Sequence, residues 1–436
     1  MIKRKILNPI LISVILIIII FLLMSYLGYF KGQNANVSRL YYADNISSAH
    51  AELIKRFNLK YKGQIEVIPI NLPFSKFSTN ERKELLARSL RSKSDLIDVF
   101  AVDLIWAPRF AKWCLPLDLY FDSKYLKQIV PNALQSCYYE GQLVAMPLYT
   151  DIGLLYYRED LIKKFPNYRE LEEKLKKSIT WEELLSLGQR ASNLRDPFYI
   201  YQAKNYEGLV CNFFELLACQ SGSILKGDSI ELNTPEAHKA VQFLVDLVNK
   251  YKLSPPVVTT FDEYQSYIYT LDNDAVFLRG WPGFSKHYRN AVRDTSKFKF
   301  IKTAAIPHFK GTKPSAVLGG WNLMISKHST KKWDAIKFLY FALEEENQKM
   351  LYLEGGYTPV NIAVYQDSQF INNHKELAYY KELMKDGFHR PYMADYTKIS
   401  DIISYYVHLA IKNQISTTEA LKKATRLINS NKFVIN

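Results

Sequence analysis

Residues 145–158 (AMPLYTDIGLLYYR) place a carboxylate and several aromatic rings at one short junction. A strand-like start leads into Tyr149 and Asp151, Gly153 follows, and a second β-rich stretch runs to Tyr157. A carboxylate accepts hydrogen bonds and an aromatic ring offers a flat apolar face, so this combination suits non-covalent binding of a small polar ligand. The junction is also a point where the chain can cross between two lobes, and clefts of that kind commonly hold ligands.

Strands and helices alternate ahead of this junction, which predicts an α/β fold. Residues 39–43 and 65–70 have strand character, and residues 49–61 between them show helical spacing. This βαβ beginning predicts a parallel sheet. A third strand, residues 97–102, ends at Asp103, and ligands bind at the carboxyl ends of strands in open α/β sheets.

The middle of the chain is mainly helical, and strands return late. Strand-like segments recur at residues 274–278, 300–306 and 320–326. Strands that return after a helical middle predict two lobes built from discontinuous segments. The predicted division is an amino-terminal segment 1–36, a first lobe of residues 37–148 plus 278–325, and a second lobe of residues 149–277 plus 326–436.

The composition predicts a globular chain and argues against several classes of partner. Apolar residues make up 48% of 436 residues, enough for two well-filled domains. The net charge is +14, but the basic residues are dispersed and interleaved with acidic ones, so we expect no nucleic-acid partner. The cysteines Cys114, Cys137, Cys211 and Cys219 form no Cys-x-x-Cys motif, and no cofactor or metal site is expected. Cys211 and Cys219 can form a disulfide or remain separate thiols.

The amino terminus has the pattern of a membrane anchor. Residues 6–30 contain no charged residue, whereas Lys3, Arg4 and Lys5 precede them. Such a stretch is long enough to cross a bilayer as a helix, and the basic cluster predicts that the rest of the chain lies outside. A cleaved signal peptide is the competing interpretation, but residues 25–30 offer no small-x-small site. We expect a periplasmic or extracytoplasmic protein anchored by residues 6–30.

Four strings that occur in order point to a family. They are DVFAVDLIW at 98–106, PLYTDIGLLYYR at 147–158, GGWNL at 319–323, and RPY with DY within 390–396. From about residue 39 to 430 the chain resembles the family 1 extracellular solute-binding proteins of bacterial sugar ABC transporters, of the trehalose/maltose type. The resemblance implies a two-lobe periplasmic-binding-protein-like fold (type II) with a hinge, preceded here by the amino-terminal transmembrane helix. It also implies capture of a sugar and its delivery to permease subunits in the membrane.

The candidate residues suit a sugar, which presents hydroxyls around rings with apolar C–H faces. Asp103 and Asp151 can accept hydroxyl hydrogen bonds, and Arg390 can donate them. Trp281 and Trp321 can stack on ring faces, and the glycines of the GGW string leave room for close approach. The predicted ligand-binding residues are Asp44, Asp103, Trp106, Tyr149, Asp151, Arg279, Trp281, Gly319, Gly320, Trp321, Tyr357 and Arg390.

Several candidates also have a purely structural interpretation. Asp103 can cap the helix that follows it, and Trp321 can belong to the core. Arg390 can pair with Asp395 at the surface. Tyr357 stands in the string GGYTP, which can be a simple turn.

Two alternative functions come from other classes of protein. Asp103 and Asp151 resemble the paired carboxylates of a glycoside hydrolase, but no hydrolase motif accompanies them, so we expect no catalytic activity. A membrane-anchored carbohydrate sensor is the second alternative. It would use the same cleft, so the sequence does not distinguish it from a transport protein. The expected ligand is a disaccharide or a glucosyl compatible solute, and no residue selects among these.

Overall fold

Apolar strands build two larger sheets in the computed structural model of the chain, which describes residues 16–23, 37–73, 76–77, 79–93, 95–190, 197–226 and 229–430. The first sheet has the order β2-β1-β3-β13-β6. Its strands are β1 (Ser38–Asp44), β2 (Ile65–Asn71), β3 (Val99–Asp103), β6 (Met146–Ile152) and β13 (Leu318–Ile325). Strands β1, β2 and β3 are parallel, and β13 runs antiparallel between β3 and β6. The carboxyl ends of β1, β3 and β6 therefore share one edge with the amino end of β13.

The second sheet has the order β12-β7-β11-β8. Its strands are β7 (Leu154–Arg158), β8 (Tyr199–Ile200), β11 (Phe277–Gly280) and β12 (Ile301–Ala304). Short hairpins pair β4 (Tyr138–Tyr139) with β5 (Gln142–Leu143) and β9 (Leu225–Lys226) with β10 (Ser229–Ile230). Only Gly153 separates β6 of the first sheet from β7 of the second, and residues 305–317 make a second crossing between β12 and β13.

Helices cover both sheets. Those of the described residues are α1 (Ser48–Lys60), α2 (Thr79–Arg91), α3 (Ala107–Phe110), α4 (Ser123–Leu126), α5 (Pro131–Gln135), α6 (Glu159–Ile162), α7 (Tyr168–Lys177), α8 (Trp181–Arg190), α9 (Glu207–Ala218), α10 (Pro235–Asn249), α11 (Glu263–Asp272), α12 (Phe284–His287), α13 (Lys332–Leu343), α14 (Glu345–Gly355), α15 (Ile362–Gln366), α16 (Ser368–Asn373), α17 (Lys375–Lys385), α18 (Tyr396–Ile411) and α19 (Thr417–Ile428). Single 3-10 segments cover Leu104–Trp106, Ala111–Trp113, Pro256–Thr260 and Thr295–Phe300.

Aromatic contacts join the helices to the sheets. In the first lobe, the ring of Phe338 on α13 lies 5.2 Å from that of Tyr42 on β1 and 5.2 Å from that of Phe57 on α1. In the second lobe, Trp181 on α8 packs against Tyr199 on β8 and Phe243 on α10, with ring centroids 5.5 and 4.9 Å apart. Each sheet thus has its own covering helices, because each amphipathic helix must bury its apolar face.

The two sheets divide the chain differently from the predicted lobes. Strand β12 and all of β11 except its first residue fall within residues 278–325, which we assigned to the first lobe, yet both strands pair with β7 in the second sheet. Strand β7 lies inside the second sheet, where β11 pairs with one of its edges and β12 with the other. Conversely β6, which extends beyond the predicted boundary at residue 148, pairs with β13 in the first sheet along its length.

The cysteines and the amino terminus complete the comparison with the sequence. All four cysteines are buried free thiols. Cys211 lies on α9 and Cys219 just after it, eight residues apart on the helix axis, or about 12 Å, which is too far for a disulfide. Of the predicted anchor, residues 16–23 are helical, and residues 6–15 and 24–30 lie outside the described residues. Within the described ranges, no helix combines the length and the apolar character that a membrane crossing requires.

Candidate functional site

A cleft lies between the shared edge of the first sheet and the helices of the second lobe. It encloses about 940 Å³, including the part open to solvent. Eight predicted residues line it, namely Asp103, Tyr149, Asp151, Trp281, Gly319, Gly320, Trp321 and Arg390. Strand register explains why they meet: Trp321 lies opposite both Asp103 and Tyr149, and Gly319 lies opposite Asp151. The antiparallel insertion of β13 therefore gathers three distant strings at one edge.

Arg390 joins the two sides of the cleft. Its Nη2 donates to Oδ1 of Asp103 at the end of β3 (2.9 Å), and its Nη1 donates to Oε1 of Glu207 at the start of α9 (2.5 Å). Tyr396 and Ser400 also donate to Glu207, so this carboxylate is fully engaged. Only 2% of Arg390 is exposed, and its Nε has no hydrogen-bond partner among the described residues. Arg390 therefore links the end of β3 to the start of α9 from within the cleft wall.

Asp103 combines two of the roles that the sequence left open. Its carboxylate accepts the backbone N–H of Ile105 (3.1 Å), which caps the following 3-10 segment, and it also pairs with Arg390. Burial raises the pKa of the Asp103 carboxyl, and the Arg390 guanidinium opposes this effect. The predicted alternative for Arg390, a surface pair with Asp395, is replaced by the two buried pairs.

Asp151 is a carboxylate of the cleft wall without a protein partner among the described residues. Its carboxylate has no hydrogen bond or ion pair with any described residue, although it lies in the cleft wall at the end of β6. Burial, and to a lesser degree the charge of Asp103, raise the pKa of the Asp151 carboxyl well above its usual value. A carboxylate in this position can accept hydrogen bonds from two ligand hydroxyls, as the sequence predicts.

The raised pKa of Asp151 has a consequence for stability. Because the pKa in the folded state exceeds that in the unfolded state, this group favours folding at low pH and loses that contribution as the pH rises through the folded pKa. We expect Asp151→Asn to raise the melting temperature of the unliganded protein at pH 7–8, and the difference to disappear near pH 4. Thermal unfolding across this pH range tests it, with the exposed Asp95→Asn as control. A lower melting temperature of Asp151→Asn at neutral pH contradicts the argument.

Trp321 is held from behind by Arg82 and Trp106, and Asp44 holds Arg82; of these three, the sequence analysis predicted Trp106 and Asp44 in the site. The guanidinium of Arg82 lies 4.2 Å from the Trp321 ring, and the ring of Trp106 meets it edge-on at 6.0 Å. The carboxylate of Asp44 accepts hydrogen bonds from Nη2 of Arg82 (2.8 Å) and from the hydroxyl of Tyr42 (2.5 Å). Asp44 and Trp106 are therefore buried supports and do not line the cleft. A strand-end carboxylate meets a neighbouring arginine as readily as a ligand, and the sequence does not distinguish the two.

Trp281 is supported in the same way in the second lobe. Its ring lies 4.0 Å from the guanidinium of Arg279, which pairs with Glu215 through two hydrogen bonds (2.7 and 3.1 Å). Its indole N–H donates to Glu263 (3.3 Å). A Cβ atom on Gly319 would lie 2.8 Å from this ring, so that glycine gives room to Trp281 itself. Arg279, predicted as a ligand contact, is buried beneath Trp281.

Tyr357 is likewise a support and does not line the cleft. Its ring packs on that of Tyr149 with centroids 4.4 Å apart, and it also contacts the rings of His50 and His287. Burial lowers the pKa of His287 to about 4, so this imidazole is neutral at pH 7. Tyr149 therefore faces the cleft with an aromatic backing that fixes its position.

Several lining residues escaped the sequence analysis because they come from helices. Tyr206 and Glu207 precede and begin α9, while Glu263, Tyr267 and Tyr288 lie on or near α11 and α12. One signal was available: α9 is apolar along almost its whole length, yet it contains Glu207 and Glu215, both buried. Charged residues in an apolar helix need a buried partner, and the structure supplies Arg390 for Glu207 and Arg279 for Glu215. In the described residues, no group of three His, Cys, Asp or Glu side chains is placed to hold a metal ion.

Two α/β lobes are joined by two crossing segments and enclose a polar, aromatic cleft at the strand ends. A cleft of this kind is typical of proteins that bind a small ligand. Residues 52–378 match the model of the bacterial extracellular solute-binding protein family. The chain belongs to this family, whose members bind solutes and are not enzymes.

Known proteins similar to the chain agree with this family. A probable ABC transporter-binding protein of Deinococcus radiodurans is 27% identical over 350 residues, which cover 79% of this chain and 82% of the relative. The maltose-bound MalE3 of T. maritima superposes with a TM-score of 0.81 and 28% identity, over 89% of this chain and 98% of that structure. An ABC transporter solute-binding protein of Thermotoga lettingae, bound to α-D-tagatose, has a TM-score of 0.78 at 24% identity and covers 90% of this chain and 98% of its own.

Proposed function

We propose that the protein captures a saccharide in the cleft and delivers it to the permease of an ABC importer. The observation that carries this proposal is the arrangement of Trp321 on the first sheet and Trp281 beside the second, with the carboxylates of Asp103 and Asp151 and the guanidinium of Arg390 between the lobes. Aromatic faces suit the C–H faces of a sugar ring, and charged acceptors and donors suit its hydroxyls. The maltose and tagatose complexes of similar proteins support a saccharide of one or two rings.

Binding is proposed to close the two lobes around the ligand by a hinge motion at Gly153 and residues 305–317. Contacts at the cleft mouth support this step. Asp401 on α18 accepts from Asn80 (2.8 Å) and pairs with Lys83 (3.1 Å), both on α2 of the opposite lobe. We propose lobes that follow the two sheets, so each lobe supplies one tryptophan and a ligand stabilises the closed arrangement by contacting both.

The amino-terminal anchor is part of the same proposal. Residues 6–30 are uncharged and follow a basic cluster, as expected for a helix that keeps the receptor on the outer face of the membrane. A tethered receptor stays near its permease at high effective concentration, which favours uptake when the saccharide is scarce.

A screen of the full chain against mono- and disaccharides and glucosyl polyols tests the function. The chain is purified in a detergent without a sugar headgroup, and melting temperature and calorimetry report binding. We expect a saccharide-specific rise in melting temperature, and about 30-fold weaker binding by Trp281→Ala or Trp321→Ala, because a central aromatic contact contributes about 2 kcal/mol.

Trp333 provides a matched control for these variants. It lies on α13 with 71% of its surface exposed and does not line the cleft, so Trp333→Ala should bind like the unmodified protein. Absence of binding to every saccharide, or equal losses in Trp333→Ala and Trp321→Ala, contradicts the proposed function.

A further inference from the structure

The cleft has the opposite charge to the chain as a whole. The chain carries a net charge of +14. The charged side chains in the cleft wall are five carboxylates and one guanidinium: Asp103, Asp151, Glu207, Asp262, Glu263 and Arg390. His287, the histidine in the wall, is neutral at pH 7. The excess of carboxylates is therefore a local feature of the binding site and does not follow from composition.

Cations near the cleft leave two of the carboxylates without a counter-charge. Arg390 pairs with both Asp103 and Glu207, and Asp262 pairs with Lys204 (3.2 Å). Glu263 accepts only from neutral donors, the Tyr206 hydroxyl (2.8 Å) and the Trp281 indole. Neither Glu263 nor Asp151 forms an ion pair with any described residue.

The cations behind the two tryptophans do not supply the missing charge. Arg82, behind Trp321, pairs with Asp44 at 2.8 Å. Arg279, behind Trp281, pairs with Glu215 at 2.7 Å. Both pairs are neutral as units and buried, so the field inside the cleft is set by the carboxylates that remain without a cation.

The walls of the cleft strengthen this field. Much of the lining is aromatic and has a far lower dielectric constant than water, and clefts of one sign with such walls concentrate ions of the opposite sign. The faces of Tyr149, Trp281 and Trp321 also attract an ammonium group directly through their electron-rich rings. An anionic ligand is repelled by the carboxylates and by the electron-rich faces of the aromatic rings.

We propose that the cleft selects saccharides by charge: it binds a saccharide with a protonated amino group more tightly than its neutral counterpart, and it rejects one with a carboxylate or phosphate. Asp151 and Glu263 are the residues that determine this preference. The inference rests on the proposed function, since it names the class of saccharide for the same cleft.

Matched saccharides test the proposal with the full chain. Calorimetry compares glucose with glucosamine, galactose with galactosamine, and cellobiose with the β-1,4-linked glucosamine dimer, at a pH where the amines are protonated. The N-acetyl forms control for bulk, and glucuronate and galacturonate serve as anions. We expect the amino form of at least one pair to bind about tenfold more tightly or better, and the anions not to bind.

Variants identify the cause. In Asp151→Asn/Glu263→Gln the ratio of the affinities for the amine and its neutral counterpart should fall toward one, whereas in the exposed Asp95→Asn it should persist. Should the double variant fail to fold, Asp151→Asn alone should reduce this ratio, because one of the two carboxylates without an ion-pair partner is then removed. Equal or weaker binding of every amino form overturns the inference while leaving the proposed function intact if a neutral sugar binds. Absence of binding to any saccharide overturns both.

Discussion

Breaking the buried ion pair between Glu215 and Arg279 is expected to lower the free energy of unfolding by about 3–5 kcal/mol. Both side chains are almost fully buried, at 3% and 1% exposure, and the pair is bidentate. Removing one partner leaves a buried charge without compensation, and the stabilisation lost includes the desolvation of that charge. Few single substitutions in this chain should cost as much.

The position of the pair adds a functional consequence. Oε1 of Glu215 also accepts the backbone N–H of Val317 (3.3 Å) on the second crossing between the sheets. A Cβ atom on Gly153, the first crossing, would lie 2.1 Å from the same oxygen. Glu215 therefore contacts both crossings at once, while Arg279 supports Trp281. Loss of the pair should loosen the hinge and the tryptophan together, so saccharide binding should weaken along with stability.

Urea denaturation of Glu215→Gln and Arg279→Met tests this expectation. The double variant Glu215→Leu/Arg279→Met should recover much of the stability, because no charge is then left unpaired. The exposed pair of Glu52 with Lys55 is the control, and Glu52→Gln should change stability by less than about 1 kcal/mol. If Glu215→Gln and Arg279→Met are as stable as Glu52→Gln, the buried pair does not contribute the expected stability.

How far the sequence leads depends on whether the relevant contacts are local. Residues 39–43, 49–61 and 65–70 become β1, α1 and β2 within one or two positions, because hydrophobic periodicity reports which face of an element is buried. The capping box that Thr180 and Glu183 form before α8 is equally local, since its two hydrogen bonds join neighbours on the chain. Pairing of β11 and β12 with β7 involves residues more than a hundred positions apart, which periodicity does not encode.

The same reasoning explains the mixed result for the site. Asp103 and Asp151 reach the cleft because each stands at or next to the end of a strand in the first sheet, where the topology gathers ligand contacts. Trp321 reaches it because its register on β13 places it opposite Asp103. Asp44 occupies an equivalent strand end, yet its carboxylate is bound by Arg82 from α2 and does not line the cleft. The sequence around Asp44 and Asp103 looks alike, and the difference lies in a contact made by another helix.

Arg390 lies in the cleft wall, but its ion-pair partners differ from the one that the sequence suggested. Asp395 is only five positions away in sequence, but the guanidinium pairs with Asp103 and Glu207, which are 287 and 183 positions away. Burial decides the outcome, because a pair removed from solvent is much less screened than one at the surface. Predicting it requires knowing that α9 and β3 face each other across the cleft.

Replacing Gly356 by alanine is expected to abolish tight ligand binding. The loss of stability should be little more than the strain of an alanine in the left-handed backbone conformation. Gly356 follows α14 of the first lobe with φ of 70°, and a Cβ atom there would lie 2.6 Å from the Cα atom of Gly283 in the second lobe. The rings of Tyr357 and His287 also meet at this point, 4.8 Å apart, and Lys286 donates to the carbonyl of Leu353. An alanine at this position holds the lobes apart here.

Gly63 separates this obstruction from backbone strain. Its φ is 79°, close to that of Gly356, but a Cβ atom on Gly63 would have no neighbour within 4 Å. Gly63→Ala and Gly356→Ala should therefore lose similar stability, about 1–2 kcal/mol each, from the left-handed conformation alone. The two should differ in binding, because only the second variant obstructs the closed arrangement.

Calorimetry and small-angle scattering together decide whether closure is the cause. With the saccharide that gives the largest shift in the screen, Gly356→Ala should bind at least about 100-fold more weakly than Gly63→Ala, since affinity falls with the fraction of molecules able to close. The radius of gyration of Gly63→Ala should decrease on adding the saccharide, and that of Gly356→Ala should not change. Equal compaction of both variants would mean that Gly283 and Gly356 separate without cost, and that closure does not depend on the approach of the two backbones at this point.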